Sequence, residues 1–137
     1  CAQCVERGDV CSKCCRGAYK LGLCAPHYRR KYGFDGRLAD VYSLGVILFT
    51  MLTKVPPYLG FASSSNVHYA SLAKHGPRYL IKAYKAQFPS INASESAIDL
   101  MTKMMRADPA KRAFIEEVVA HPWVASRIAR LKDQQPR

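Results

Sequence analysis

Cysteine is missing from the last 113 residues of this 137-residue chain, since all six cysteines stand at positions 1, 4, 11, 14, 15 and 24. That alone places a boundary near Gly33 and rules out a disulfide framework for the rest. Acidic residues are scarce, ten against 21 Lys and Arg, so the formal net charge is +11. No uninterrupted apolar run reaches membrane-spanning length: Leu44 to Leu52 is broken by Thr50, then ended by Lys54-Val55-Pro56-Pro57. A membrane partner is therefore not expected. No secretory signal is visible either. The first residue is Cys rather than Met, so the expectation is a piece of a longer protein. No basic-aromatic run is read as a platform for stacking bases, and nucleic acid is not an expected partner. No segment reads as a convincing strand. What remains, 49% hydrophobic residues, is ample for a core and excludes overall disorder. The length suits one modest domain, or one domain with an appendage.

The positive charge is unevenly placed. Residues 1–33 hold seven Lys/Arg and two acids, residues 34–123 ten and seven, and residues 124–137 four and one. Most of the excess sits at the two ends, as a basic tail and as cations around a thiol-rich segment. In that segment Cys1 and Cys4, Cys11 and Cys14, and Cys24 and His27 form three pairs separated by two residues. Such spacing lets one tight turn place two donors on a tetrahedral metal. The first two pairs could close a four-thiolate zinc site. Alternatively Cys11 with Cys14 or Cys15 could join Cys24 and His27. Apolar Leu23 and Tyr28 would flank the latter pair, as in the second half of small Cys/His zinc modules. The seven donors offer no single clean set of four. Disulfides, free thiols and a misassembled or non-coding stretch remain alternatives, the first needing an oxidising compartment.

The body reads as helix. Leu38 to Thr53 is apolar on nearly every face, the mark of a helix buried all round, with Asp40 at its start as a cap or an organiser of something beyond. Pro56-Pro57 ends it. Phe61 to Asn66 is a polar loop. Val67 to Lys74 makes a short helix, with Gly76 as a left-handed stop and Pro77 behind it. Arg78 to Gln87 makes another, with Tyr79, Leu80, Ala83 and Tyr84 on one side. Ser94 suits the N-cap of a helix to Arg106, on which Ala97, Met101, Met104 and Met105 recur at core spacing. Asp108-Pro109 opens a turn. Ile115 to Ala120 is the last short helix, stopped by His121-Pro122-Trp123.

Four phrases in this order carry a resemblance. Asp40-Val41-Tyr42-Ser43-Leu44-Gly45 is similar to the Asp-Val-Trp-Ser-Leu-Gly of the central F helix in the large lobe of eukaryotic protein kinases. Met51-Leu52-Thr53-Lys54-Val55-Pro56-Pro57-Tyr58 resembles the phrase that follows it. Asp108-Pro109-Ala110-Lys111-Arg112 and His121-Pro122-Trp123 resemble the closing motifs. The wording is closest to the calcium/calmodulin-type and related Ser/Thr kinases. The resemblance implies a mainly α fold, the helical lower part of a kinase C-lobe from the F helix to the last helix. The implied layout is an irregular Cys-rich, candidate zinc-binding segment (1–33), the partial lobe (34–126) and a basic tail (127–137). It also implies structural positions. Asp40 would anchor the catalytic loop's backbone, and Gly45 would be a fixed position of the same helix. Arg112 would pair with the glutamate of an Ala-Pro-Glu motif, and Trp123 would anchor the core. His121 is expected to be a packing residue.

The phosphoryl-transfer groups do not accompany these phrases. There is no Gly-rich loop, no His-Arg-Asp and no Asp-Phe-Gly, so this chain offers no Mg-ATP site and no catalytic residue. ATP and magnesium are expected only for a complete parent kinase. The chain is expected to be inactive alone and at most to dock a protein through residues 58–76, in an intracellular, cytoplasmic setting. A zinc-stabilised interaction module is the alternative. Where the resemblance would place Ala-Pro-Glu stands Ala25-Pro26-His27, which gives Arg112 no carboxylate. Lys54 replaces a helix-ending Gly, and Phe114 a capping Ser or Thr, each at an expected cost of about 1 kcal/mol.

Overall fold

The computed structural model describes residues 35–133. Among them are six α-helices and a 3-10 turn, and no strand. The helices are α1 (Gly36–Thr53), α2 (Val67–His75), α3 (Pro77–Gln87), α4 (Glu95–Met104), α5 (Ile115–Ala120) and α6 (Pro122–Asp133), and the 3-10 turn spans Pro109–Lys111.

Helix boundaries follow the local chemistry. Ser94 caps α4 by accepting from the Ala97 N–H, and Asp108 caps the 3-10 turn by accepting from that of Ala110. Gly76 closes α2 at φ 77°, its N–H donating to Leu72, and Pro77 opens α3 at a position where a missing N–H costs nothing. Lys54 does take up the left-handed conformation expected of a glycine, at φ 63°, its N–H donating to Thr50 over 2.8 Å. Phe114 caps α5 by half only: Glu117 accepts from its N–H at 2.8 Å, but a phenyl ring offers nothing in return.

Several expectations are corrected. The cap of α1 is Asp35, whose carboxylate accepts from the Arg37 N–H. Asp40 lies a turn further in and is exposed. Nor is α1 buried all round: Leu44, Ile47 and Met51, at i, i+3 and i+7, are 42–64% exposed. Its 18 residues also meet the length and composition criterion for a membrane span, as core helices often do. Thr50 does not interrupt it, because its hydroxyl donates to the Val46 carbonyl at 2.8 Å. On α3 the inward face is Pro77, Leu80 and Ile81 with half-buried Tyr84, while Tyr79 and Ala83 point outward. Finally, α5 is not the last helix. Pro122 sits at the first position of α6, so the stop signal is also a start, and the expected basic tail is helical through Asp133.

Helix α1 runs against α4 and supplies both core clusters. Tyr42, Val46 and Phe49 face α2, α3 and the start of α4. Val41 faces Leu100, Met104 and Val118, beside α5. Gly45 is the point of closest approach: a Cβ there would lie 2.6 Å from Met105 Cγ and 3.0 Å from Met104 Cβ. A mid-helix glycine weakens a helix by about 1 kcal/mol relative to Ala, yet here it is what admits the methionines of α4. Those methionines are core residues, as their spacing implies, Met101 and Met104 being 0% and 3% exposed.

Candidate functional site

The motif residues of the sequence lead to a buried brace around Arg112. The brace begins with the turn at Asp108, which leaves Arg112 in extended backbone with its side chain directed inward. Arg112 is 4% exposed, and its guanidinium donates to three carbonyls. Nη1 reaches Leu38 at 2.7 Å, Nε reaches Arg106 at 2.9 Å and Nη2 reaches Ala107 at 3.2 Å. The cation also lies 4.9 Å from the centre of the Tyr42 ring. A buried guanidinium needs such partners, because an uncompensated charge is costly away from water. The side chain thereby joins the first turn of α1 to the loop after α4.

Tyr42 stands where the resembling phrase has Trp, and its hydroxyl meets that of Tyr58 at 3.0 Å. Burial pushes both phenols well above their ordinary range, so each stays protonated and the pair keeps a donor. Tyr58 in turn meets Tyr69 edge to face, ring centres 5.4 Å apart. The brace therefore reaches from Arg112 through Tyr42 and Tyr58 to α2.

A second polar link lies on the other side of α4. Buried His121 places Nε2 2.9 Å from Asp99 Oδ2, and its Nδ1 accepts from the Trp123 N–H at 3.2 Å. With Nδ1 as an acceptor, the proton of the neutral ring sits on Nε2 and donates to Asp99. That bond, followed by the one from Lys103 at 2.8 Å, holds the Asp99 carboxyl below its ordinary range. His121 is thus a satisfied packing residue, as expected. Trp123 is half-buried, touches both core clusters, and carries Arg127 3.7 Å over its ring.

Of the residues singled out in the sequence, Gly45, Arg112 and Trp123 all bear on the α1–α4 core. Asp40 does not join them: it is exposed, and its side chain makes no ion pair with the described residues. Cys1, Cys4, Cys11, Cys14, Cys15, Cys24 and His27 lie outside the described residues. Among the described residues no three His, Cys, Asp or Glu side chains come close enough to hold a metal ion. The tyrosine pair escaped sequence reading, because nothing along the chain joins positions 42 and 58. The departure from Trp at position 42 was the available clue.

A brace that ties an apolar F-type helix to the segment after α4, with the four phrases in order, is the lower half of a kinase large lobe. Residues 9–124 match the protein kinase domain family, and the chain belongs to it. The match begins inside the Cys-rich segment, ahead of the boundary suggested by cysteine usage. Among relatives, calcium-dependent protein kinase 2 of Oryza sativa subsp. japonica is 35% identical over 120 residues, covering 87% of this chain and 21% of the relative. A probable serine/threonine-protein kinase of Dictyostelium discoideum is 33% identical, over 82% of this chain and 13% of its own length. Ribosomal protein S6 kinase alpha-2 of Mus musculus is 29% identical, over 89% and 15%. The chain thus spans about a fifth or less of the curated relatives it matches.

Proposed function

We propose that these residues are the substrate-side helical part of a Ser/Thr protein kinase domain, whose parent activity is ATP-dependent phosphorylation of protein hydroxyls. The chain itself does not transfer phosphate and acts by docking a protein through residues 58–76. The observation that carries this reading is the family match over residues 9–124 in a sequence holding neither His-Arg-Asp nor Asp-Phe-Gly. Positioning and charge stabilisation of the transferred phosphoryl group account for nearly all kinase catalysis. A chain without those groups has nothing to do it with. The exposed side chains of Leu59 and Val67, 64% and 75% accessible, support docking, and a cytoplasmic setting suits both parts of the reading.

The purified chain, incubated with Mg-ATP and a degenerate Ser/Thr peptide mixture, should transfer no phosphate and show no heat of Mg-ATP binding. Turnover above that of heat-denatured protein would sink the non-catalytic part. Binding to at least one protein of a kinase-pathway panel is expected to weaken when Leu59 and Val67 are both changed to Asp. No binding to any of them would sink the docking part.

A further inference from the structure

Between Asp40 and Glu95 the chain contains no acidic residue at all, while Lys54, Lys74, Arg78, Lys82 and Lys85 fall within that stretch. Four of these five cations belong to α2 and α3, and their arrangement on α3 is regular. Pro77, Leu80, Ile81 and Tyr84 turn inward, so Arg78, Lys82 and Lys85, at i, i+4 and i+7, form a rail along one exposed flank. Next to the rail, Tyr79, Ala83 and Ala86 repeat the same spacing and are also exposed. They make an apolar ridge low enough for another backbone to approach. Tyr79 is 52% accessible, and its ring rests against that of His75, centres 4.9 Å apart, which fixes the head of the ridge.

The rail is short of counter-charge. Arg78 meets Glu95 through two hydrogen bonds, one of 3.0 Å, and this exposed pair contributes little stability. Lys74, Lys82 and Lys85 are exposed and meet no carboxylate among the described residues. Surface cations are ordinarily interspersed with acids. Here an acid-free helix pair sets cations beside an apolar ridge.

We infer that the outer face of α3 binds an acidic, amphipathic segment of another protein. Carboxylates spaced one helical turn apart would lie on Arg78, Lys82 and Lys85, and small apolar side chains would lie on Tyr79, Ala83 and Ala86. The inference rests on the docking reading above and extends its contact from residues 58–76 onto α3. A protein segment fits better than nucleic acid or a lipid surface. The ridge offers a phosphate backbone nothing, and one three-cation rail is little for a polyanion that binds through many phosphates. Complementary charge would speed encounter and exclude basic partners, while the ridge supplies the apolar burial.

The full chain can be panned against a displayed library of random 16-residue peptides. Selected peptides are expected to be rich in Asp and Glu at three- and four-residue spacing. Their synthetic forms should bind about tenfold more weakly to the K82E/K85E double variant and more weakly still in 0.5 M salt. Both lysines are exposed, so an unchanged melting curve shows the variant to be folded. A Tyr79→Ala variant reads the ridge separately and should weaken binding at every salt concentration. Peptides without acidic enrichment, lost on changing Leu59 and Val67 but indifferent to K82E/K85E, would overturn the acidic partner and leave docking intact. Absence of any peptide specific for the chain would overturn both. Tighter binding of a 20-nucleotide single strand or of phosphatidylserine vesicles, lost in K82E/K85E, would overturn the protein partner.

Discussion

Along the contact of α1 with α4 a methyl group is too much, for a Cβ on Gly45 would stand 2.6 Å from Met105. Along the outer face of α3, by contrast, Arg78, Tyr79, Lys82, Ala83, Lys85 and Ala86 touch solvent, and their size is set by nothing inside the protein. The two regions draw on different residue types. Methionine and glycine set the inner distance because interiors are packed to crystal-like density. Alanine and lysine leave the outer face free to be shaped by a partner. The comparison shows where the fold constrains the sequence and where function is left to do so.

Breaking the inner region should cost most at Arg112. Replacing it by Met removes the donor to the Leu38, Arg106 and Ala107 carbonyls and should lower stability in urea unfolding by about 3–5 kcal/mol, since a hydrogen bond from a charged donor contributes about 1.5–3 kcal/mol and buried acceptors lose theirs. A loss below about 1 kcal/mol would show that water replaces the guanidinium, and that the brace is not structural. Next is Gly45→Ala. Overpacking against Met104 and Met105 should destabilise by about 1–3 kcal/mol, although Ala is the better helix former. A stabilised variant would mean that α1 and α4 stand further apart than the structure has them.

The smallest effects should be gains at the two helix ends that lack their usual residues. Lys54→Gly, relieving the left-handed cap, and Phe114→Thr, supplying the missing acceptor, should each raise stability by about 1 kcal/mol, and additively. Thermal unfolding of both single variants and the double checks this. A loss at Lys54 would mean that the strain is taken up elsewhere. The K82E/K85E change on α3 is the reference for all of these, since exposed substitutions should move stability by no more than about 0.5 kcal/mol.

Much of this body was legible in the sequence because helix ends have local causes. Ser94, Gly76, Asp108 and Pro77 act on the few residues next to them, and each performs the part its chemistry implies. What escaped depended on which face meets what. The apolar pattern of α1 shows which residues share a side, but exposure of Leu44, Ile47 and Met51 depends on α4 lying opposite Gly45 rather than opposite them. Tyr79 shares its flank with apolar residues and still points outward, because Ile81 rather than Tyr79 continues the stripe from Pro77. The helix after Pro122 was hidden by a double meaning, although Val124, Ile128 and Leu131 repeat at i, i+4 and i+7. At the site, Gly45, Arg112 and Trp123 were found by motif. The partner of Arg112 at Leu38 and the hydroxyl pair of Tyr42 and Tyr58 join positions far apart in the chain, which no local pattern records.

The bond from Arg112 to the Leu38 carbonyl spans 74 positions. It has a kinetic meaning beyond its strength. A contact so remote cannot form until nearly the whole intervening chain has been gathered in, and the entropy of closing that loop falls due before the bond returns anything. Folding of α1 is therefore tied to the arrival of the segment after α4. During synthesis the apolar helix must leave the ribosome and wait for its arginine, with Leu44, Ile47 and Met51 on show throughout.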